Sequence, residues 1–320
     1  MEEHIKFKIK NNSGKAWIYE GCGNRLLLVH LWKKFQYNDI DLRDKLQEFG
    51  TNSGVDSVMV LTGQPEKLFA QRYHLTMDVF EPRGIDPENP NLPGSWSTMC
   101  GNGIRAVARY LIDSSKLECF IKTKSGTRQI AVLPDYQFRV NMGKFTMDKK
   151  DLRKYVSSFN FEFIRSKIIN VSTQEIIVGL NGDYDKKGHI DGEPHLVLFL
   201  ENYISTMSGL VELANKIGPL ITNNRKEFSR CINTNFVSIK KRREDCIEVL
   251  ACTFERGVDY VTQACGTGAT VIGSYLLSRI EGLNVVKVIM PGGVLLISRG
   301  ENEDYFLTGP ANSLPLRKHL

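Results

Sequence analysis

The sequence predicts an α+β protein built from two pseudo-equivalent halves. Three observations predict it. The chain carries an internal repeat about half its length apart, a helical apolar period follows each copy, and strand-like runs separated by turn residues fill most of the rest. At roughly 150 residues per domain, 320 residues fit two domains. A chain this long buries sizeable cores without disulfide or metal staples.

The repeat is clearest at two cysteines. Cys100-Gly-Asn-Gly-Ile-Arg-Ala-Val-Ala-Arg-Tyr-Leu and Cys265-Gly-Thr-Gly-Ala-Thr-Val-Ile-Gly-Ser-Tyr-Leu share Cys, both Gly, Tyr and Leu in register. The cysteines lie 165 residues apart, as do Tyr110 and Tyr275. A second echo lies upstream, Phe80-Glu-Pro-Arg-Gly84 against Phe254-Glu-Arg-Gly257. The first copy holds extra residues, Ile85 to Pro93, whose Pro, Asn and Asp content is that of a loop.

Each turn opens a helix. Ile104, Val107, Ala108, Leu111 and Ile112 follow the i, i+3, i+4, i+7 pattern, and so do Ala269, Ile272, Gly273, Leu276, Leu277 and Ile280, with Gly282 the expected C-cap. Strands are expected at Leu26–Val29, Ser57–Leu61, Gln137–Asn141, Asn235–Ile239, Ile247–Phe254, Val285–Met290 and Val294–Ser298, the last two joined by a hairpin at Pro291-Gly-Gly293. Asn141-Met-Gly143, followed by a Lys-rich stretch, ends the first half at 143 and starts the second at 144.

Composition excludes several classes. Hydrophobic residues make 42% and charged residues 24% of the chain, which removes disorder, collagen and coiled coil as descriptions of the whole. The net charge of +6 is mild and dispersed. Its one basic run, Lys240-Lys241-Arg242-Arg243, sits between strand-like stretches and reads as a solvated hairpin turn, not a nucleic-acid surface. Seven cysteines, an odd number with no C-x-x-C pair, signal neither a disulfide framework nor a zinc site. No run reaches the ~18 apolar residues of a membrane span, and the first residues lack a signal-peptide core. A reduced, cytoplasmic protein is expected.

The chemistry lies at the two turns. A helix N-terminus offers free N–H groups and the positive end of the dipole, which together bind a carboxylate and favour a thiolate. The glycines at 101, 103, 266 and 268 are expected to allow close backbone approach and positive φ. If the halves face each other, an amino acid fits: its carboxylate on the amides of Gly101-Asn102 and Gly266-Thr267, and its α-carbon between the two sulfurs. One thiolate removes the α-proton and the opposite thiol delivers another. The helix ends stabilise the charge that develops on the carboxylate. No cofactor, pyridoxal phosphate or metal, is required.

At these residues the sequence resembles the diaminopimelate epimerase family, cofactor-independent epimerases and racemases that use two cysteines. The resemblance covers most of the chain. Gly21-Cys-Gly-Asn-Arg25 resembles an N-terminal Gly-x-Gly-Asn turn, and Gly54-Val-Asp56 and Ser125-Gly126 fall where the family has comparable pieces. Met99-Cys-Gly-Asn-Gly103 and Gln263-Ala-Cys-Gly-Thr-Gly268 resemble the two catalytic motifs, Gly192-Glu-Pro-His195 a Gly-Asn-Pro-His segment, and Glu255-Arg-Gly257 a Glu-Arg-Gly turn. The resemblance implies that Cys100 and Cys265 are the acid–base pair. It implies that His195 and Glu255 sit beside the thiols and that Asn24 and Asn233 line the cleft. It implies a fold of two α/β halves, each a curved, mostly antiparallel sheet around a central helix. The C-terminal residues, from about 305, are then expected to return to the first half.

Two departures bear on the substrate. Glu81 and Glu193 stand where the family has asparagines that read the far end of diaminopimelate. Two carboxylates there would attract a distal cation, pointing to lysine, ornithine, arginine or histidine. Arg256 opposes this, because the family uses that arginine for a distal carboxylate, and diaminopimelate is the alternative substrate. Rim pairing of the two glutamates with Arg83 or lysines is the bland reading of both. Three rivals are weaker: a same-fold isomerase of the phenazine-biosynthesis type, which lacks paired cysteines; a nucleotide binder, since Gly101-Asn-Gly-Ile-Arg-Ala106 loosely fits G-x-G-x-x-A but follows turn-like residues; and a thiol redox or binding protein. The partners expected are a small amino-acid substrate, no nucleic acid and no membrane; a homodimer is left open.

Overall fold

The computed structural model describes residues 4–9, 12–63, 74–86, 89–112, 118–168, 173–201, 204, 206–258 and 260–315. The chain divides into two compact units, Met1–Val140 with Gly309–Leu320, and Asn141–Thr308. Both are mixed, sheet-dominated α+β units in which strands curve around one buried helix.

In the first unit β1 (Ile5–Ile9), β2 (Asn12–Gly21) and β3 (Asn24–Leu31) pair antiparallel. Helix α1 (Ile40–Asn52), capped by the Asp39 carboxylate on the Leu42 amide, crosses to β4 (Ser57–Gly63), parallel to β3. β5 (Leu75–Glu81) returns antiparallel and carries the short β6 (Ser95–Ser97), so the residues before Cys100 include a strand as well as the expected turn. Helix α2 (Gly101–Ile112) leads to β7 (Glu118–Thr123), parallel to β5, and β8 (Gly126–Leu133) and β9 (Gln137–Asn141) follow antiparallel. The segment Asn312–Leu314 pairs antiparallel with β2.

The second unit holds β10 (Lys144–Thr146), α3 (Lys149–Leu152), α4 (Glu162–Lys167), β11 (Thr173–Tyr184), β12 (Ile190–Gly192), β13 (His195–Leu200), α5 (Met207–Thr222), β14 (Asn233–Arg242), β15 (Cys246–Phe254), α6 (Gly266–Arg279), β16 (Val285–Met290), β17 (Gly293–Arg299) and, as far as Thr308, β18 (Tyr305–Pro310), whose last two residues belong to the first unit. Its pairings repeat those of the first. β3–β4–β5–β7–β8 alternate parallel and antiparallel, with α1 and α2 on the parallel crossovers. β13–β14–β15–β16–β17 do the same, with α5 and α6. The sequence duplication is thus a duplication of topology: Glu81 is the last residue of β5, and Glu255 follows directly on the equivalent strand, β15.

The strand patterns match their places. β13, His-Leu-Val-Leu-Phe-Leu, is buried at every residue, as a strand covered on both faces must be. β16 alternates buried and half-buried, as a strand with one face on the core does. α2 is buried at every residue from Gly101 to Ala108 and again at Leu111, packed against β2, β3, β4, β7 and β8. Burying Ile104, Val107 and Leu111 contributes about 1.5–3 kcal/mol each relative to exposure. α6 is enclosed likewise by β10, β11, β13, β16 and β17.

Two expectations are corrected. α6 ends at Arg279 with Ile280 as its extended C-cap; Gly282, at φ +77°, serves the turn that follows. None of the glycines at 101, 103, 266 and 268 has a positive φ. Close packing is what Gly103 and Gly268 serve: a Cβ at 103 would collide with Met59 Sδ, and one at 268 with Asn235 Oδ1. The basic run is exposed, but Lys240, Lys241 and Arg242 are the last residues of β14 and only Arg243 lies in the turn to β15, where its amide donates to the Cys246 carbonyl.

Candidate active site

In the first unit, β2 and β3 join through the two-residue turn Cys22-Gly23. Both residues have positive φ, +50° and +82°, as a type I′ hairpin requires. The turn sets the buried Asn24 at the start of β3. Cys100 caps α2. Its carbonyl accepts the Ile104 amide at 3.0 Å, and its Sγ accepts the Gly103 amide at 3.3 Å, the place of a capping serine or aspartate oxygen. The amides of Gly101 and Asn102 lie in the first turn, where the helix supplies no acceptor.

Beneath this turn lies a residue the sequence reading passed over. Arg105 is fully buried. It donates to the Gly101 carbonyl (3.0 Å), Asn102 Oδ1 (2.8 Å) and the Pro310 carbonyl (3.2 Å), and reaches Cys22 Sγ at 3.8 Å. Burial lowers its pKa, opposed by the charges of Cys22 and Cys100. The same arginine partly offsets the burial that pushes the Cys22 thiol up. A buried cation and a helix N-terminus therefore act together on the turn that carries Cys100. An arginine flanked by Ile104 and Ala106 inside an apolar helix was the available signal. Glu81 is the last residue of β5, where it accepts from Ser57 Oγ at 2.8 Å.

In the second unit, Cys265 caps α6: its carbonyl accepts the Ala269 amide at 2.9 Å. The thiol is 5% exposed, and Thr267 Oγ1 lies 3.5 Å from Sγ. Gly266 and Thr267 supply the first-turn amides. His195 is expected beside a thiol, on the substrate amine or tuning protonation; its ring is wholly buried, Nε2 lies 2.9 Å from Thr267 Oγ1 and Nδ1 lies 3.1 Å from Asn235 Nδ2. Thr267 Oγ1 links it to Cys265 Sγ. Burial first, then Arg256, holds its pKa down at about 3, so the ring is neutral. Asn235 and Thr253, both fully buried, carry no mark in the sequence that separates them from other strand polar residues.

Glu193, Asn233 and Arg256 form a second cluster. Arg256 Nη2 donates to Glu193 Oε1, Nη1 donates to the Arg230 carbonyl at 3.0 Å, and the Arg256 amide donates to Asn233 Oδ1 at 3.0 Å. Tyr155 Oη donates to the Gly192 carbonyl at 3.0 Å and steadies the turn that presents Glu193. The Glu193 and Arg256 side chains are 4% and 19% exposed. Glu193 is expected to meet a distal cation or a basic side chain of the rim; the structure pairs it with Arg256. Glu255 accepts from Thr262 Oγ1. Among the described residues no group of three His, Cys, Asp or Glu is placed to hold a metal ion, and no helix is long and apolar enough to cross a membrane.

Comparison with known proteins agrees with this architecture. Residues 190–314 match the family model for diaminopimelate epimerase. The chain is 30% identical over 304 residues to diaminopimelate epimerase of Agathobacter rectalis, spanning 92% of this chain and 95% of that enzyme. It is 34% identical over 236 residues to that of Desulfitobacterium hafniense, spanning 69% and 72%. Among solved structures, a hydroxyproline epimerase from Agrobacterium vitis superposes with a TM-score of 0.54 at 11% identity, covering 96% of this chain and 92% of that one, a likeness of fold. On these relatives the chain belongs to the diaminopimelate epimerase family and is an isomerase of the amino-acid racemase and epimerase class.

Proposed function

We propose that the chain inverts the α-carbon of an amino acid with a cationic side chain, one of Cys100 and Cys265 taking the α-proton and the other delivering a new one, with no pyridoxal phosphate or metal. The amides of Gly101, Asn102, Gly266 and Thr267 hold the α-carboxylate, Asn24 and Asn233 line the cleft, and Glu255 serves the substrate amine. His195 acts through Thr267.

The Glu193–Arg256 ion pair carries the substrate reading. An arginine offered alone would select a distal carboxylate. Here its charge is met by a buried glutamate, so a second carboxylate would have to displace Glu193 and leave a buried charge unpaired, at about 3–5 kcal/mol. With Glu81 as well, the three residues sum to −1, where two asparagines and an arginine sum to +1. A second reading, diaminopimelate itself, is favoured by the names of the relatives at 30% identity or more.

The test is incubation with L-lysine, L-ornithine, L-arginine, L-histidine and LL-diaminopimelate, followed by chiral chromatography. Turnover of a basic amino acid is expected; turnover of diaminopimelate alone gives the second reading. In D2O the product gains deuterium at Cα. Cys100→Ser and Cys265→Ser each fold and lose at least about 100-fold in rate. Wild-type turnover by either variant removes that cysteine from the pair.

A further inference from the structure

We propose that Asn235 is a positioning residue that fixes the His195 proton on Nε2, so that Thr267 aims its hydroxyl hydrogen at Cys265 Sγ. The inference rests on the two-thiol reading and adds a direction to it: it names the hydrogen bond that favours thiolate over thiol at Cys265.

The Leu196 oxygen can only accept, and Asn235 Nδ2 lies 2.8 Å from it, so that end of the amide is the NH2 group. Thr253 Oγ1 donates to the other end, Oδ1, at 2.8 Å. The same Nδ2 lies 3.1 Å from His195 Nδ1. An amide NH2 only donates, so Nδ1 accepts and carries no proton. The neutral ring therefore holds its proton on Nε2, 2.9 Å from Thr267 Oγ1. The Thr267 oxygen accepts that bond, which frees its own hydrogen for Cys265 Sγ, 3.5 Å away.

The network is held in place. His195, Asn235 and Thr253 are all fully buried. Gly268 of α6 packs so near that a Cβ would strike Asn235 Oδ1 and sit 3.2 Å from the His195 ring. The charged group acting on His195 is Arg256, a cation, which opposes a second proton on the ring. Cys100 has a different device, since its sulfur accepts a backbone amide.

Two measurements on the full chain test this without turnover. The first reads the ring 15N shifts of His195. A single neutral tautomer protonated on Nε2 is expected from pH 5 to 8, and Asn235→Ala mixes the tautomers. An imidazolium or an Nδ1–H ring in the wild type, or an unchanged single tautomer in Asn235→Ala, overturns the proposal. The second follows alkylation of Cys265 against pH by peptide mass spectrometry. Thr267→Val, which keeps the side-chain volume, is expected to lower the rate at pH 7 about tenfold, the effect of a one-unit rise in thiol pKa. Thr267→Ser stays within about twofold of wild type. Equal rates in Thr267→Val and wild type overturn it. Because neither readout uses an amino acid, a chain that racemises nothing still decides this question, and a failed relay leaves the two-cysteine proposal to its own variants.

Discussion

Acid should destabilise this protein through His195, and the size of the effect follows from its burial. In the unfolded chain a histidine titrates near 6.5. In the fold, burial first and Arg256 second hold its pKa at about 3. Between those values the unfolded state binds a proton that the folded state refuses, so unfolding becomes easier as pH falls. The slope is at most about 1.4 kcal/mol per pH unit; over about three and a half units the loss is capped at about 5 kcal/mol. A typical domain has only about 5–15 kcal/mol to lose. The assay is urea denaturation at pH 7, 6.5, 6 and 5, comparing wild type with His195→Gln, which does not titrate. Carboxylates titrate in both proteins and cancel in the difference. Between pH 6.5 and 5 the wild type should lose about 2 kcal/mol more than the variant; above pH 7 the two curves should run parallel. Parallel curves throughout would refute the reasoning, because they would mean the folded ring accepts its proton as readily as the unfolded one.

Arg105→Met removes the guanidinium that donates to the Gly101 and Pro310 carbonyls and to Asn102 Oδ1. The expected loss is about 2–4 kcal/mol in chemical denaturation, together with a slower alkylation of Cys100 at neutral pH as the buried cation goes. Gly268→Ala gains about 1 kcal/mol of helix propensity and loses more to the collision with Asn235 Oδ1. A net destabilisation of about 1–3 kcal/mol is expected in the same assay, and a stabilised variant would show that the helix sits further from β14 than described.

What the sequence made legible was what repeats and what is apolar. Two Cys-Gly-x-Gly turns in register disclosed the duplication, and the period after each disclosed α2 and α6, because a helix needs its apolar residues three and four apart wherever it lies. The cysteines, the first-turn amides and Glu81 as the partner of Glu255 in the repeat could be named the same way. Partnership in space was not legible. Nothing in Gly192-Glu-Pro-His195 says that Glu193 will meet Arg256, since the ion pair forms only after β12 and the end of β15 come together. Arg105 and Asn235 escaped for a related reason: a polar residue inside an apolar element reads as surface until the fold buries it. The reason given for Gly103 and Gly268 was half right. They are there for close approach, and the side chains they approach, Met59 and Asn235, lie more than thirty residues away along the chain.

The strand Asn312–Leu314 lies beside β2, and the Pro310 carbonyl receives Arg105. Both belong to the unit that begins the chain. Glu20 of β2 and Asn312 are 292 residues apart, so the strand that completes this edge, and one acceptor of the buried guanidinium, come from beyond the whole of the second unit in sequence. Closing so long a loop is slow, so the first unit should complete its sheet only after the second, whose strands are contiguous in sequence, has folded.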